Sequence, residues 1–228
     1  MATKPGPFLR DLGVLCVSAV FGVAASLPLL GGCRQIAALG YFFSPPQVQK
    51  AEFKLAEDRV VLLIDLARPD QDNVVFRQTL HDKVVELLRY HNVQTKLVPQ
   101  EEVFRLRQQN PDFADWSIKK IGQRLGARHV LWVRVDHLQV REAPESPLLA
   151  PLARLRLKVI GTDDHGGRLW PGTDERDGRA VERARPPKAA GERALFDEES
   201  AKLGRDTAWL VAMPFFDVDL EKKTPWEP

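Results

Sequence analysis

Apolar and polar positions divide this chain into one long apolar run near its start and a series of short patterned segments after it. Residues 12–30 are apolar almost without interruption, diluted only by Ser18, Ser26 and Pro28. The segment Val60-Val61-Leu62-Leu63-Ile64-Asp65-Leu66 is short, β-branched and apolar at successive positions. That predicts a central strand covered on both faces. Pro69-Asp70-Gln71-Asp72-Asn73 is a turn that can cap a helix. Over residues 73–90, Phe76, Leu80, Val84, Leu87 and Leu88 recur at helical spacing and make one apolar face. Residues 94–98 predict a shorter strand stopped by Pro99. Pro99 suits the first turn of another helix, with Glu101 and Glu102 at its positive end. Asn110-Pro111-Asp112 breaks that helix, and Asp115 is the expected cap of the next, over residues 116–125. Ile118, Ile121 and Leu125 are its buried stripe, and Gly126 stands where a helix-ending glycine belongs.

Residues 129–140 predict the longest strand, with Leu131, Val133 and Val135 on one face and Val130, Trp132, Leu138 and Val140 on the other. This strand and residues 60–66 are expected side by side and parallel, joined by helical crossovers. Residues 143–151 read as a proline-punctuated loop. Residues 152–160 alternate Leu155, Leu157 and Val159 with Arg154, Arg156 and Lys158, the mark of a half-buried antiparallel strand. Asp163-Asp164-His165-Gly166-Gly167 is a hairpin turn, and Arg168-Leu169-Trp170-Pro171 starts the return strand. Residues 172–193 are rich in charge, Gly and Pro and read as a mobile loop. Residues 194–216 carry a last helix with Phe196, Leu203, Trp209, Leu210 and Phe215 available to pack.

The pattern therefore predicts an α/β (α+β) fold: a mixed sheet of four to five strands with helices packed on it, preceded by an N-terminal signal or anchor helix. The expected division is 1–32 signal peptide, 33–58 tether, 59–216 single α/β domain and 217–228 polar tail. In the tether, Tyr41-Phe42-Phe43 precedes Ser44-Pro45-Pro46, which no regular helix tolerates. Two readings of the aromatic trio stay open: insertion at the lipid headgroups, or a cap on the domain core.

The apolar run follows Lys4 and Arg10 and ends in Leu30-Gly31-Gly32-Cys33. A positive start, an apolar middle and small closing residues make an export signal. The ending resembles a bacterial lipoprotein signal, with Leu30, Gly31 and Gly32 as the lipobox before Cys33. By that resemblance Cys33 is acylated and becomes the first residue of the mature chain, anchoring it to the membrane. One acyl chain holds only marginally, and two or three anchor stably. Two other readings stay open: an uncleaved apolar helix, since a span needs ~20 residues, and a plain cleaved secretory signal. Arg34 stands where an aspartate would signal inner-membrane retention, which favours the outer membrane, with the chain facing the periplasm.

A formal net charge of +2 sets up no strong field toward nucleic acid. Beyond Cys33 no cysteine follows, so neither a disulfide framework nor a thiolate zinc site is available. His129 and His137 share a strand face but stand about 27 Å apart at ~3.4 Å per residue, too far to share a metal. Asp163-Asp164-His165 offers ligand atoms, yet turn chemistry explains the same residues. Asp174 to Gly178 lacks calcium-loop spacing. No phosphate loop, serine elbow or paired-histidine zinc motif is present. Arg179, Arg183, Arg185, Lys188 and Arg193 cluster around Pro186-Pro187. A solvated loop accounts for them, and attraction to anionic lipid or cell-wall polymer is the alternative. No cofactor is implied.

Ile121-Gly122-Gln123-Arg124-Leu125-Gly126-Ala127-Arg128-His129-Val130-Leu131, a helix closed by Leu-Gly-Ala and leading into a strand, resembles a small α/β domain of exported bacterial proteins. That group includes the curli-secretion lipoprotein, the lipoprotein activator of a penicillin-binding protein, and the N-terminal domain of the Tol-system propeller protein. No amphipathic membrane-spanning hairpins like those of its pore-forming member are visible. The resemblance implies a non-enzymatic envelope lipoprotein that binds or positions a protein partner or assembly. The alternatives are an envelope hydrolase with dispersed catalytic residues, or a homo-oligomeric secretion or assembly subunit.

Overall fold

The computed structural model describes residues 48–143, 145–164, 166–172, 174–189 and 193–219. Leu30, Gly31, Gly32, Cys33, the aromatic trio and His165 lie outside them. No helix among the described residues is long and apolar enough to cross a membrane.

A mixed sheet organises the fold, as the pattern predicts. Strand β2 (Arg59–Leu66) runs parallel to β4 (His129–Arg141), in register from Val60 opposite His129 to Leu66 opposite Val135. Helix α1 (Val74–Tyr90) crosses one face and leads to β3 (Lys96–Leu97), which is parallel to β2 on its other side. Helices α2 (Gln100–Gln109) and α3 (Ile118–Arg124) return over the opposite face to β4. Strand β5 (Leu148–Gly161) is antiparallel to β4. Three short strands then pair in succession along the outer side of β5: β6 (Arg168–Trp170), β7 (Arg179–Ala184) and β8 (Lys188–Ala189). Helix α4 (Arg193–Ala212) packs beside α1. A separate two-stranded ladder joins β1 (Val48–Gln49) to β9 (Val218–Asp219).

The sheet separates two cores. Val60, Leu62, Leu131, Val133, Leu155 and Leu157 meet Phe76, Leu80, Val84 and Leu88 of α1 and Leu203, Ala208 and Val211 of α4. On the other face Val61, Leu63, Val130 and Trp132 meet Phe113, Ile121 and Leu125. Fully burying one such large side chain stabilises by about 1.5–3 kcal/mol. Asn73 caps α1 by accepting the Phe76 N–H at 2.9 Å, and its amide donates to Ser200 Oγ at 2.9 Å, tying α1 to α4. At Gly204 the two helices touch so closely that a Cβ would come within 2.8 Å of the Phe76 carbonyl oxygen. Gly126 takes φ +61°, and Ala127, 4% exposed, packs at the entry to β4, as the helix–strand motif predicts.

Several expected boundaries change. The interval read as a mobile loop, 172–193, contains β7 and β8, so the sheet holds seven strands. Strand β7 reads Arg-Ala-Val-Glu-Arg-Ala, and of these only Val181 packs on the core. Its place rests on the backbone ladder and on ion pairs, which a hydrophobic pattern cannot reveal. Strand β5 begins at Leu148, inside the expected loop, and Pro151 lies within it. A proline is tolerated there because the ladder to β4 is irregular between Gln139 and Arg141, and its carbonyl still accepts from Arg185 N. A bulge at Asp136 reverses the alternation of β4, so Leu138 joins the Leu131 face instead of the Val130 face. Ser117, not Asp115, caps α3, accepting from Lys120 N at 3.2 Å. The expected tether and tail also contribute to the fold. Leu55 and Val218 are core residues, and Glu52 N and Phe53 N donate to the Pro214 carbonyl.

Candidate functional site

The sheet's two outer edges differ. On the β5 side the edge is broken into three short, charged pieces, which is how natural sheets discourage unwanted pairing. On the β2 side, β3 pairs only with Arg59 and Val60. Lys96 N donates to Asp58 O, and Val98 N to Val60 O, on that side; Arg128 N donates to Arg59 O on the β4 side. Main-chain groups of alternate residues therefore point to opposite edges. Leu62 and Ile64 direct theirs toward the β3 side, where no strand among the described residues pairs with them. The Leu66 N–H turns to the Asp65 carboxylate at 3.0 Å.

A cleft of about 130 Å³ lies along this open stretch. Leu62, Leu63 and Ile64 form its floor. Arg77 and His81 of α1 form one wall, and Gln100, Val103, Phe104 and Arg107 of α2 form the other. Helix α2 is loosely seated: none of its residues is buried, and Phe104 is 58% exposed. Val103 and Leu106 are half-buried against the sheet, and Arg59 pairs with Glu102 at 2.6 Å in solvent. A second cavity, about 420 Å³, shares Leu63 and Arg107 with the cleft and adds Phe113, Trp116, Ile121 and Trp132, with Asp65 and Asn110 as polar groups. Cations cover its aromatic rings: Lys120 Nζ is 4.0 Å from the Trp116 ring centre and Arg107 Cζ is 5.1 Å from that of Phe113. Trp116 Nε1 donates to Asp112 at 2.7 Å. Apolar walls, a basic rim and an open main-chain edge are equipment for binding.

No protein-family model matches this sequence, and no curated protein does. Among solved structures, the chain is similar to the lipoprotein GNA1162 of Neisseria meningitidis, with 13% identity over 66% of this chain and 97% of that one, at a TM-score of 0.40. It is similar to a PelC dodecamer structure from Paraburkholderia phytofirmans, with 12% identity over 76% and 99%, at 0.32. The C-terminal domain of LpoB from Salmonella enterica is 15% identical over 60% and 84%, at 0.30.

The residues singled out by the sequence fall elsewhere. His129 lies against Phe53, with ring centres 5.8 Å apart, and its Nδ1 accepts from Ala56 N at 3.1 Å. Burial, helped by the neighbouring Arg128, holds it below the ordinary histidine range. His91 stacks on Phe216 at 3.7 Å, and burial lowers its pKa too. His137 lies opposite Arg154 on β4 and β5. Among the described residues no group of three His, Cys, Asp or Glu could hold a metal.

Four residues of the basic cluster, Arg179, Arg183, Arg185 and Lys188, lie in or beside β7 and β8 and are ion-paired within the fold, not in a solvated loop. Arg179 pairs with Glu52 and Glu175, each at 2.8 Å. Arg183 and Arg185 reach Asp206, while Arg185, Lys188 and Lys202 reach Glu199. Glu199 is fully buried. Burial pushes its carboxyl up, but hydrogen bonds from Lys188, Lys202 and Arg185 outweigh that and leave it below its ordinary value. These groups latch the β7–β8 edge onto α4. The sequence signal for this was available: Glu199, Leu203 and Asp206 follow i, i+4, i+7 spacing, so two carboxylates share a face with a core leucine. The cleft left no such mark: Pro99 signals where β3 stops, but the cleft depends on the register in which β3 meets β2.

Proposed function

We propose that this chain is a lipid-anchored, non-enzymatic protein of the cell envelope that docks a protein partner in the cleft between α2 and the sheet. The observation that carries the reading is the unpaired stretch of β2 at the floor of that cleft, walled by a helix with no buried residue. An apolar strand edge of this kind is a ready template for another chain. Cys33, after Leu30-Gly31-Gly32, is the acyl acceptor in this reading, and the domain faces the periplasm, with the outer membrane favoured by Arg34.

The test places a photo-crosslinking amino acid at Phe104 of the full-length chain and irradiates native envelopes. A discrete crosslinked partner is expected from Phe104 and not from Leu169, which is 44% exposed but lies on β6. Cys33→Ala is expected to leave the chain unprocessed and without palmitate label. Equal crosslinking from both positions, or none from Phe104, refutes the docking site; palmitate persisting in Cys33→Ala refutes the anchor.

A further inference from the structure

We infer that the α2 cleft takes an extended, acidic segment of the partner protein as an added strand on β2. This deepens the docking reading above and rests on it. The main-chain groups of Leu62 and Ile64 point outward at two-residue spacing, the arrangement that a further strand completes. A helix laid in the cleft would satisfy none of them, because its own main-chain groups bond within the helix.

Room for the strand comes from α2. The cleft as it stands holds little more than one side chain, but α2 contributes no buried residue and is tied by a solvent-exposed ion pair and two half-buried apolar side chains. Moving it outward disturbs little packing. An incoming strand would lay one set of side chains against Val103 and Phe104, while the cavity beyond Arg107 offers apolar and aromatic wall for its end.

Charge selects the occupant. Arg77, His81 and Arg107 line the cleft, and none of its lining residues is a carboxylate. Arg77 already pairs with Asp72 at 3.1 Å, and His81 Nδ1 lies 3.1 Å from the Asp82 carboxylate, which leaves Arg107 as the charge that selects. Arg107 has no carboxylate partner among the described residues and lies only over the Phe113 ring. A second copy of this chain would bring two Arg107 guanidinium groups together, whereas an acidic strand places a carboxylate on Arg107.

The experiment uses the full-length chain in detergent micelles and fluorescent peptides of roughly ten residues, long enough to form one strand. One alternates valine with glutamate and one valine with lysine. Two further glutamate peptides carry N-methyl groups on alternate residues, in the two possible registers, which removes the donors of one edge at a time. The glutamate peptide is expected to bind about tenfold more tightly than the lysine peptide, Arg107→Glu to reverse that order, and one methylation register alone to abolish binding. Equal binding of both charge types, unchanged binding of both methylated peptides, or no binding at all overturns the added strand. If those results coincide with a specific crosslink from Phe104 in envelopes, the docking site survives and only the strand mode falls. If the crosslink is absent as well, the docking reading falls with it.

Discussion

Replacing Arg185 by alanine tests whether the buried ionic cluster holds the edge of the sheet. Arg185 reaches from the turn between β7 and β8 to two carboxylates on α4: its Nε contacts Glu199 at 3.3 Å and its Nη1 contacts Asp206. The side chains of Glu199 and Asp206 are 0% and 3% exposed. Removing one partner of a buried pair costs about 3–5 kcal/mol, because the other charge stays behind. Here the loss is softened. Lys188 and Lys202 still reach Glu199 at 2.8 and 3.2 Å, and Arg183 still reaches Asp206 at 3.4 Å. We therefore expect Arg185→Ala to destabilise the domain by about 2–3 kcal/mol, a fall in Tm of roughly 4–12 °C for a domain of this size. Arg154→Ala is the control, since its pair with Glu182 is 57% and 56% exposed and should change stability by less than about 0.5 kcal/mol. Urea and thermal unfolding of both variants, followed by circular dichroism, make the comparison. The pH dependence has a sign as well. The Glu199 carboxyl titrates below its ordinary value, so its contribution is present above about pH 4.5 and is lost as pH falls through the lower folded-state value. Equal, small losses for Arg185→Ala and Arg154→Ala would show the latch to be solvated and refute the argument.

Two other outcomes follow from the packing. His91 is held neutral by burial against Phe216, so the unfolded chain binds its proton first, and stability should fall as pH drops below about 6.5; His91→Phe should flatten that part of the pH profile, and an unchanged slope would exclude His91 as its source. Gly204→Ala should destabilise by about 1–3 kcal/mol through the 2.8 Å approach to the Phe76 carbonyl, outweighing the ~1 kcal/mol gained in helix propensity; a raised Tm would show that the α1–α4 contact yields to a methyl group.

The parts legible in the sequence are those whose stability comes from apolar burial. Val60 to Leu66, the α1 stripe and the alternation of β5 each bury side chains at the period of their element, so pattern and structure agree. Where another force decides, the pattern misleads. Arg179 to Ala184 carry one core-facing apolar residue and are held by a ladder to β5 and by ion pairs of Arg179 with Glu52 and Glu175 and of Arg183 with Asp206 on α4, and so they read as loop. Leu138 changes face because Asp136 bulges, and Asp136 is held by Arg134 at 3.3 Å and Arg156 at 2.7 Å, a polar cause that hydrophobicity cannot show. Val218 sits in a polar tail and is buried because β9 pairs with β1, a contact between the two ends of the described chain.

The candidate site belongs to this second class, for a related reason. Residues 94–98 predict a short strand stopped by Pro99, and pairing does end there, with Lys96 and Leu97 and a last bond from Val98; what the pattern does not show is the register, which sets those residues opposite only the start of β2, at Arg59 and Val60. An apolar strand is thereby left with two outward main-chain positions beneath a loosely held helix. The opposite edge has the same potential to pair with other chains, and there the chain places Pro171, Pro186 and Pro187 between short strands and draws the arginines inward onto Glu199 and Asp206. One edge is thus interrupted, charged and pinned, while the other is apolar and rimmed by cations. Breaking the latch at Arg185 should leave the β2 edge untouched, because latch and cleft lie on opposite margins of the sheet. If Arg185→Ala lowered Tm but preserved the crosslink from Phe104, stability and recognition would be shown to rest on separate edges of one sheet; loss of both together would mean that the β2 cleft depends on the packing of α4 through the shared core.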